Sequence, residues 1–326
     1  MMRPERRFPF VIGLAAAALL LGLGLAQDAS EGASEDPDLE RRVITIDSSG
    51  GTQSGNLRYG PIVYEHPDPL GIVATVSNLT IRGPRAELSA PEDTLLAQAK
   101  GERTAAFDGG VQVTRGRLEA DGPALVYREA TGLGVLDGGV DVVIAASEDE
   151  GDPTEIEASL IEFDVDTDRS VSRGDVVLVN GTQRAEADAL TYAETIDLGR
   201  LECEGLCTVI RGADDGTVMT ITAQEIRVLT QDERLWARGQ VTIVDGDITT
   251  RGSEAVYDDN EQIAEITGSP ARSENDASGV TLESDRILQD IEFDFVEAID
   301  ASAASDVDLT AFLFEEEQGA GEPAAP

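Results

Sequence analysis

Tyr127, Tyr192 and Tyr257 stand at equal intervals of 65 residues. Gly109, Gly174 and Gly239 keep that interval, as do Gly116, Gly181 and Gly246, and the small residues Gly122, Ala187 and Gly252. A register held by several independent positions means that one supersecondary unit is reused. Each copy must then bury its apolar face against its neighbours.

One copy spells out the unit. Val111 and Val113 alternate with polar residues and share a face, and Thr114-Arg115-Gly116 then breaks the alternation. Leu118 and Ala120 resume it, whereas Leu125 and Tyr127 close the stretch on the opposite parity. Alternation with a period of two marks half-buried strands. A parity shift inside a strand marks a bulge or a bend, and glycine gathers at such points. A shorter pattern recurs within the unit: a small residue, an apolar one three later and another two beyond. Ala158/Ile161/Phe163, Ala187/Leu190/Tyr192 and Ala223/Ile226/Val228 follow it. A glycine opens the next strand 16 residues after Gly122, Ala158, Ala223 and Gly252, but 18 after Ala187. The expected fold is all-β: an elongated antiparallel β-jelly roll, or folded two-sheet sandwich, built from repeated hairpins.

The flanks differ. Arg3, Arg6 and Arg7 precede the apolar run Phe10 to Ala26, and Gly24-Leu25-Ala26 offers small residues for cleavage. Residues 1–26 therefore read as a signal peptide, with a single N-terminal anchor as the alternative. Residues 27–42 read as an acidic linker and 43–314 as the jelly roll, either one extended unit or two fused ones. Residues 315–326 read as a disordered acidic tail. The expected location is the periplasm, or the inner membrane if the anchor is retained.

Charge narrows the function. Lys+Arg number 24 against 64 Asp+Glu, a net charge of −40. Phosphate neutralisation needs clustered cations, so a nucleic-acid partner is excluded. Asp164, Asp166 and Asp168 imitate the start of a calcium loop, but Arg169 stands where such a loop needs glycine. They read as a solvated turn or a weak calcium site. Cys203 and Cys207 are bridged only if Glu204-Gly205-Leu206 makes a tight turn; otherwise they are two small core residues. The single histidine, His66, lies in a turn beside prolines, and no nucleophile set or phosphate loop occurs. No enzyme activity and no cofactor are expected.

The run Gly109-Gly110-Val111-Gln112-Val113 to Leu125-Val126-Tyr127, with its copies at 174–192 and 239–257, resembles the unit of the OstA-like (LptA-type) proteins. The resemblance covers roughly residues 75–300. It implies a β-jelly roll that carries lipopolysaccharide across the periplasm, with acyl chains in a groove between two sheets and jelly rolls joined edge to edge. The groove residues would be the inward rows Val111, Val113, Leu118, Leu125 and Tyr127; Val176, Leu178, Leu190 and Tyr192; and Val241, Ile243, Ile248 and Tyr257. The same rows would also build a dry core. Asp306 to Phe314, with Val307, Leu309, Phe312 and Phe314, reads as an edge strand, suited to strand addition to another envelope jelly roll or a second copy. The expected function is binding or conducting an amphiphile, lipopolysaccharide or another envelope lipid. The alternative is a structural, self-associating envelope module without cargo.

Overall fold

The computed structural model describes residues 37–146, 152–212, 218–293, 295–299 and 308–318. The alternating segments form 19 strands of one antiparallel sheet. The first six are short: β1 (Thr45–Asp47), β2 (Thr52–Gly55), β3 (Ile62–Glu65), β4 (Ile72–Val76), β5 (Leu79–Gly83) and β6 (Arg85–Ser89). Twelve long strands follow as a meander. They are β7 (Thr104–Arg115), β8 (Leu118–Arg128), β9 (Leu133–Ile144), β10 (Thr154–Asp164), β11 (Arg169–Asn180), β12 (Gln183–Ala193), β13 (Leu198–Gly212), β14 (Val218–Leu229), β15 (Arg234–Asp245), β16 (Ile248–Asp258), β17 (Ile263–Asn275) and β18 (Val280–Asp290). The short β19 (Phe295–Ile299) pairs with the second half of β18. Pairing runs unbroken from β4 through β5 and β7 to β19.

Each long strand is broken in the middle, as the parity shift requires. Asp108 faces Ala124 and Val111 faces Gly122, so Gly109-Gly110 lie opposite Pro123 alone. The same two-against-one bulge sets Gly174-Asp175 against Asp188, and Gly239-Gln240 against Ser253. Backbone φ is positive at both members of each pair: 92° and 101° at Gly109-Gly110, 102° and 93° at Gly138-Gly139, 79° and 51° at Gly174-Asp175, 76° and 54° at Gly239-Gln240. Stacked in register, the bulges form a crease along which the sheet folds into two facing layers. Inward residues of both halves then meet in one apolar core, which includes Phe107, Leu136, Phe163, Leu201 and Ile266.

One crease position carries an insertion. Between Glu202 and Cys207, β13 loops out against the single step from Glu225 to Ala223 through Gln224. Cys203 and Cys207 close this loop as a disulfide, with α-carbons 5.4 Å apart. Cys207 is also fully buried where other copies place Val176 and Val241. The longer 18-residue spacing after Ala187 is the trace of this loop.

The N-terminal end is closed by a buried ion pair. Glu129 accepts hydrogen bonds from the backbone N–H groups of Ile44 (2.8 Å), Gly101 (2.8 Å) and Arg103 (3.1 Å), and from the Arg103 guanidinium (2.6 Å). Every lone pair of this buried carboxylate thus has a donor, the condition under which a desolvated charge is tolerated.

Three boundary expectations change. Pro37–Arg42 forms helix α1 and is not linker, because Arg42 binds Asp166 and Arg41 donates to the Val165 carbonyl at 2.8 Å. The segment holding Leu309, Phe312 and Phe314 is no edge strand. Leu309–Phe312 is a 3₁₀ turn, with the Asp308 side chain accepting from the Thr310 N–H. Phe312 and Phe314 are fully buried on the outer face of the sheet. Glu315–Gln318 then forms the short helix α2 where tail was expected. The signal segment, residues 27–36, Val307 and residues 319–326 lie outside the described residues.

The crease gives a direct test. At Gly138, φ is 102° and an added Cβ would meet Pro123 Cγ at 2.6 Å. Gly138→Val should destabilise the fold by about 1–3 kcal/mol, from positive-φ strain alone, read as a lower urea midpoint. Gly205, which has open space around its Cβ position, should accept alanine with little change.

Candidate functional site

Folding about the crease leaves two free edges facing each other across a mouth, and the hairpin turns alternate between them. One edge holds the turns at 77–78, 116–117, 181–182 and 246–247; the other holds 129–132, 165–168, 194–197, 230–233 and 259–262. Polar contacts join the edges at intervals. Asn78 donates to Asp168 at 2.9 Å. Arg115 donates to Glu194 at 2.8 Å and to the Asp164 carbonyl at 3.2 Å. Arg117 pairs with Asp197. Arg211 pairs with Asp259 at 2.5 Å, and Gln183 donates to the same carboxylate at 2.9 Å.

The repeated tyrosines belong to this system. Their rings are buried in the core and their hydroxyls reach the mouth. Tyr127 donates to the Arg42 carbonyl (2.7 Å), Tyr192 to Asp197 (2.8 Å) and Tyr257 to Asp259 (2.7 Å). Burial, reinforced at Tyr192 and Tyr257 by the accepting aspartate, holds all three hydroxyls protonated far above the ordinary phenol range. Glu194 is pushed up by burial, against the pull of Arg115.

Between the Arg117–Asp197 and Arg211–Asp259 latches the mouth has a gap. An apolar slot of about 40 Å³ opens there, floored by Ile144, Ile156, Leu178, Leu190, Tyr192, Leu201, Val228, Leu235 and Tyr257. Its rim carries Asn180, Gln183 and Arg184 on one edge and Thr230, Glu233 and Arg234 on the other. A volume near 40 Å³ holds a water or two, so an acyl chain enters only if the layers part.

The expected groove residues divide accordingly. Leu178, Leu190, Tyr192 and Tyr257 line the slot. Val111, Val113, Leu118, Leu125, Tyr127, Val176, Val241 and Ile243 are buried in the closed core away from it, and Ile248 is buried as well. The rim residues were not singled out from sequence; they sit in turns, where polar residues carry no distinguishing pattern. Ile144 and Ile156 flank a long acidic connection outside the cleanest copies. The aspartates 164, 166 and 168 are already engaged. Asp164 caps the Asp166 N–H (2.8 Å), Asp166 pairs with Arg42 and Asp168 meets Arg41 and Asn78. Among the described residues no cluster of His, Cys, Asp and Glu could hold a metal ion. Among them, too, no helix is long and apolar enough to cross a membrane.

Residues 155–294 match the family model described as LptA/(LptD N-terminal domain) LPS transport protein. No curated protein matches the chain. Among solved structures, the chain is similar to LptH, the LptA homologous periplasmic component of the lipopolysaccharide transport device from Pseudomonas aeruginosa. Identity is 21%, over 36% of this chain and 84% of that one, with a TM-score of 0.34.

Asp259 gathers three donors, so its removal isolates the mouth's contribution. Asp259→Ala leaves the Tyr257 hydroxyl and the Arg211 guanidinium without their acceptor. It should cost about 1–3 kcal/mol for the stranded donors, seen as a lower thermal midpoint. Asp258→Ala, one residue away and more exposed, should change the midpoint far less.

Proposed function

We propose that this chain, an LptA-like member of the OstA family through residues 155–294, holds the acyl part of an envelope amphiphile between its two layers. Lipopolysaccharide is the cargo class the family description names. The observation that carries the reading is the position of the apolar slot. Apart from Ile144 and Thr154, all its lining residues fall inside the matched segment, and its floor is almost purely aliphatic and tyrosyl. Each methylene buried there contributes about 0.8 kcal/mol toward offsetting the parting of the layers. Arg184 on the rim, half-exposed and paired with Glu186 at 2.9 Å, offers an anionic headgroup a cation in exchange for that carboxylate. The protein acts in this reading as a carrier in the cell envelope and performs no chemistry.

Self-association is the second reading, and one feature favours it. The first half of β18 pairs with β17 but has no partner in β19, which begins its pairing only at Arg286. Val280 at the start of β18, and Phe293 and Phe295 beyond its other end, are exposed at 55%, 70% and 57%. Such an edge invites strand addition by a second jelly roll. It stands in place of the C-terminal segment first expected to do this. The two readings are compatible, since edge-to-edge joining would extend the space between layers.

A photo-crosslinking residue at Leu190 or Val228 should capture a lipid in cells and co-purify with it, identified by mass spectrometry. The same residue at Val113, in the closed core, should not. Absence of lipid from the purified protein together with no adduct at either slot position would sink the carrier reading.

A further inference from the structure

One outer face carries an apolar stripe. Ala193, Leu198, Leu229, Trp236 and Val256 point outward from five consecutive strands, β12 to β16. Leu198 is paired with both Ala193 and Leu229, and Trp236 with Val256. They make a continuous apolar stripe across the sheet. Residues 308–318 lie along it and bury Phe312 and Phe314, with the Phe312 ring 6.2 Å from that of Trp236.

Arginines frame the stripe. The guanidinium carbons of Arg169, Arg200 and Arg227 lie 4.8, 5.2 and 5.6 Å from the Phe314 ring centroid, and that of Arg234 lies 5.5 Å from Phe312. The same cations take the acidic helix that follows. Arg169 pairs with Glu316, and Arg227 with Glu317 at 2.5 and 2.8 Å. Arg227, its side chain only 2% exposed, also donates to the Phe312 carbonyl at 2.7 Å and lies 5.1 Å from the Trp236 ring. A guanidinium so nearly buried, satisfied by a backbone carbonyl, the carboxylates of Glu317 and Glu225 and two aromatic faces, is a built recognition element. In a chain of net charge −40, gathering four arginines on one face is a specific arrangement.

We propose that this face is a peptide-docking site for an acidic segment carrying two aromatic side chains two residues apart. Its own C-terminal segment fills it in cis, and the same segment of a second copy fills it in trans. The recognition elements lie within Phe312–Glu317, a contiguous stretch, so the segment carries its specificity with it. Residues 300–307, made of Ala, Ser, Asp and one Val, join it to β19. Exchange of such a terminal element between identical chains needs no new contact. In cis the segment competes at the millimolar effective concentration typical of short linkers. A second copy therefore gains the site only when the cis segment is weakened or displaced.

Trp236 is the chain's sole tryptophan and reports occupancy of the site. A fluorescein-labelled peptide spanning residues 305–318 would be titrated into the full-length protein and into full-length Glu316→Gln/Glu317→Gln. The expected result is at least tenfold tighter binding to the variant by anisotropy, with Trp236 emission returning to the wild-type position on saturation. Adding Arg227→Ala to the variant should abolish binding, as should replacing both phenylalanines of the peptide with alanine. Full-length Phe312→Ala/Phe314→Ala provides a second chain with a weakened segment. No binding to either variant while both keep a cooperative melting transition would overturn the proposal. So would binding that survives Arg227→Ala, or that a scrambled peptide of the same composition reproduces. None of these readouts involves lipid, so failure here leaves the carrier reading untouched.

Discussion

The crease is the constraint from which the rest of the structure follows. A strand with one apolar face can bury it by folding back on itself, provided every strand turns at the same height. Two positive-φ residues opposite a single residue do this at Gly109-Gly110, Gly138-Gly139, Gly174-Asp175 and Gly239-Gln240. The extra residue restores inward orientation after the turn, so Val111 and Phe107 serve the same core from different layers. The 65-residue register is the spacing of this device along the chain. The disulfide loop at 203–207 shows that the crease tolerates length as long as the backbone re-enters in phase.

Once folded, the sheet has a mouth, and its edges carry the charge chemistry. Most of the acid is solvated, but Asp197, Asp259, Asp166 and Asp168 accept from arginine, glutamine or asparagine on the opposite edge or the N-terminal helix, and Asp197 and Asp259 also from tyrosines of their own edge. Arginine suits these crossings because its forked donors reach two acceptors at once. The latches hold the layers together at intervals and leave the aliphatic slot between two of them. In the proposed reading, parting of the layers at this slot is the step that admits an amphiphile.

Much of this was legible in the residues. Period-two alternation located the strands, and the parity shift between Ala120 and Leu125 located the bend that the register at Asp121/Ala124 displays. The inward rows are buried, Leu178 alone only partly, because alternation reports orientation. Alternation could not say which inward residues line an opening, since a slot and a packed core require the same side chains. The cross-mouth contacts were illegible because they join turns about 50 to 90 residues apart and depend on how the layers overlap. Phe312 and Phe314 misled for a definite reason. Spacing of two suggests a strand, yet an extended approach to a 3₁₀ turn presents the same spacing when both rings enter one outer stripe.

The central claim is that the two layers part at the slot to receive an acyl chain. Spin labels at Arg184 and Glu233, one on each edge of its rim, would measure the separation directly by pulsed electron resonance. On loading with a purified lipopolysaccharide or a comparable acylated amphiphile, the account predicts a longer and broader distance than in the empty protein. An unchanged distance distribution, under conditions where the amphiphile is shown to be bound, would contradict it.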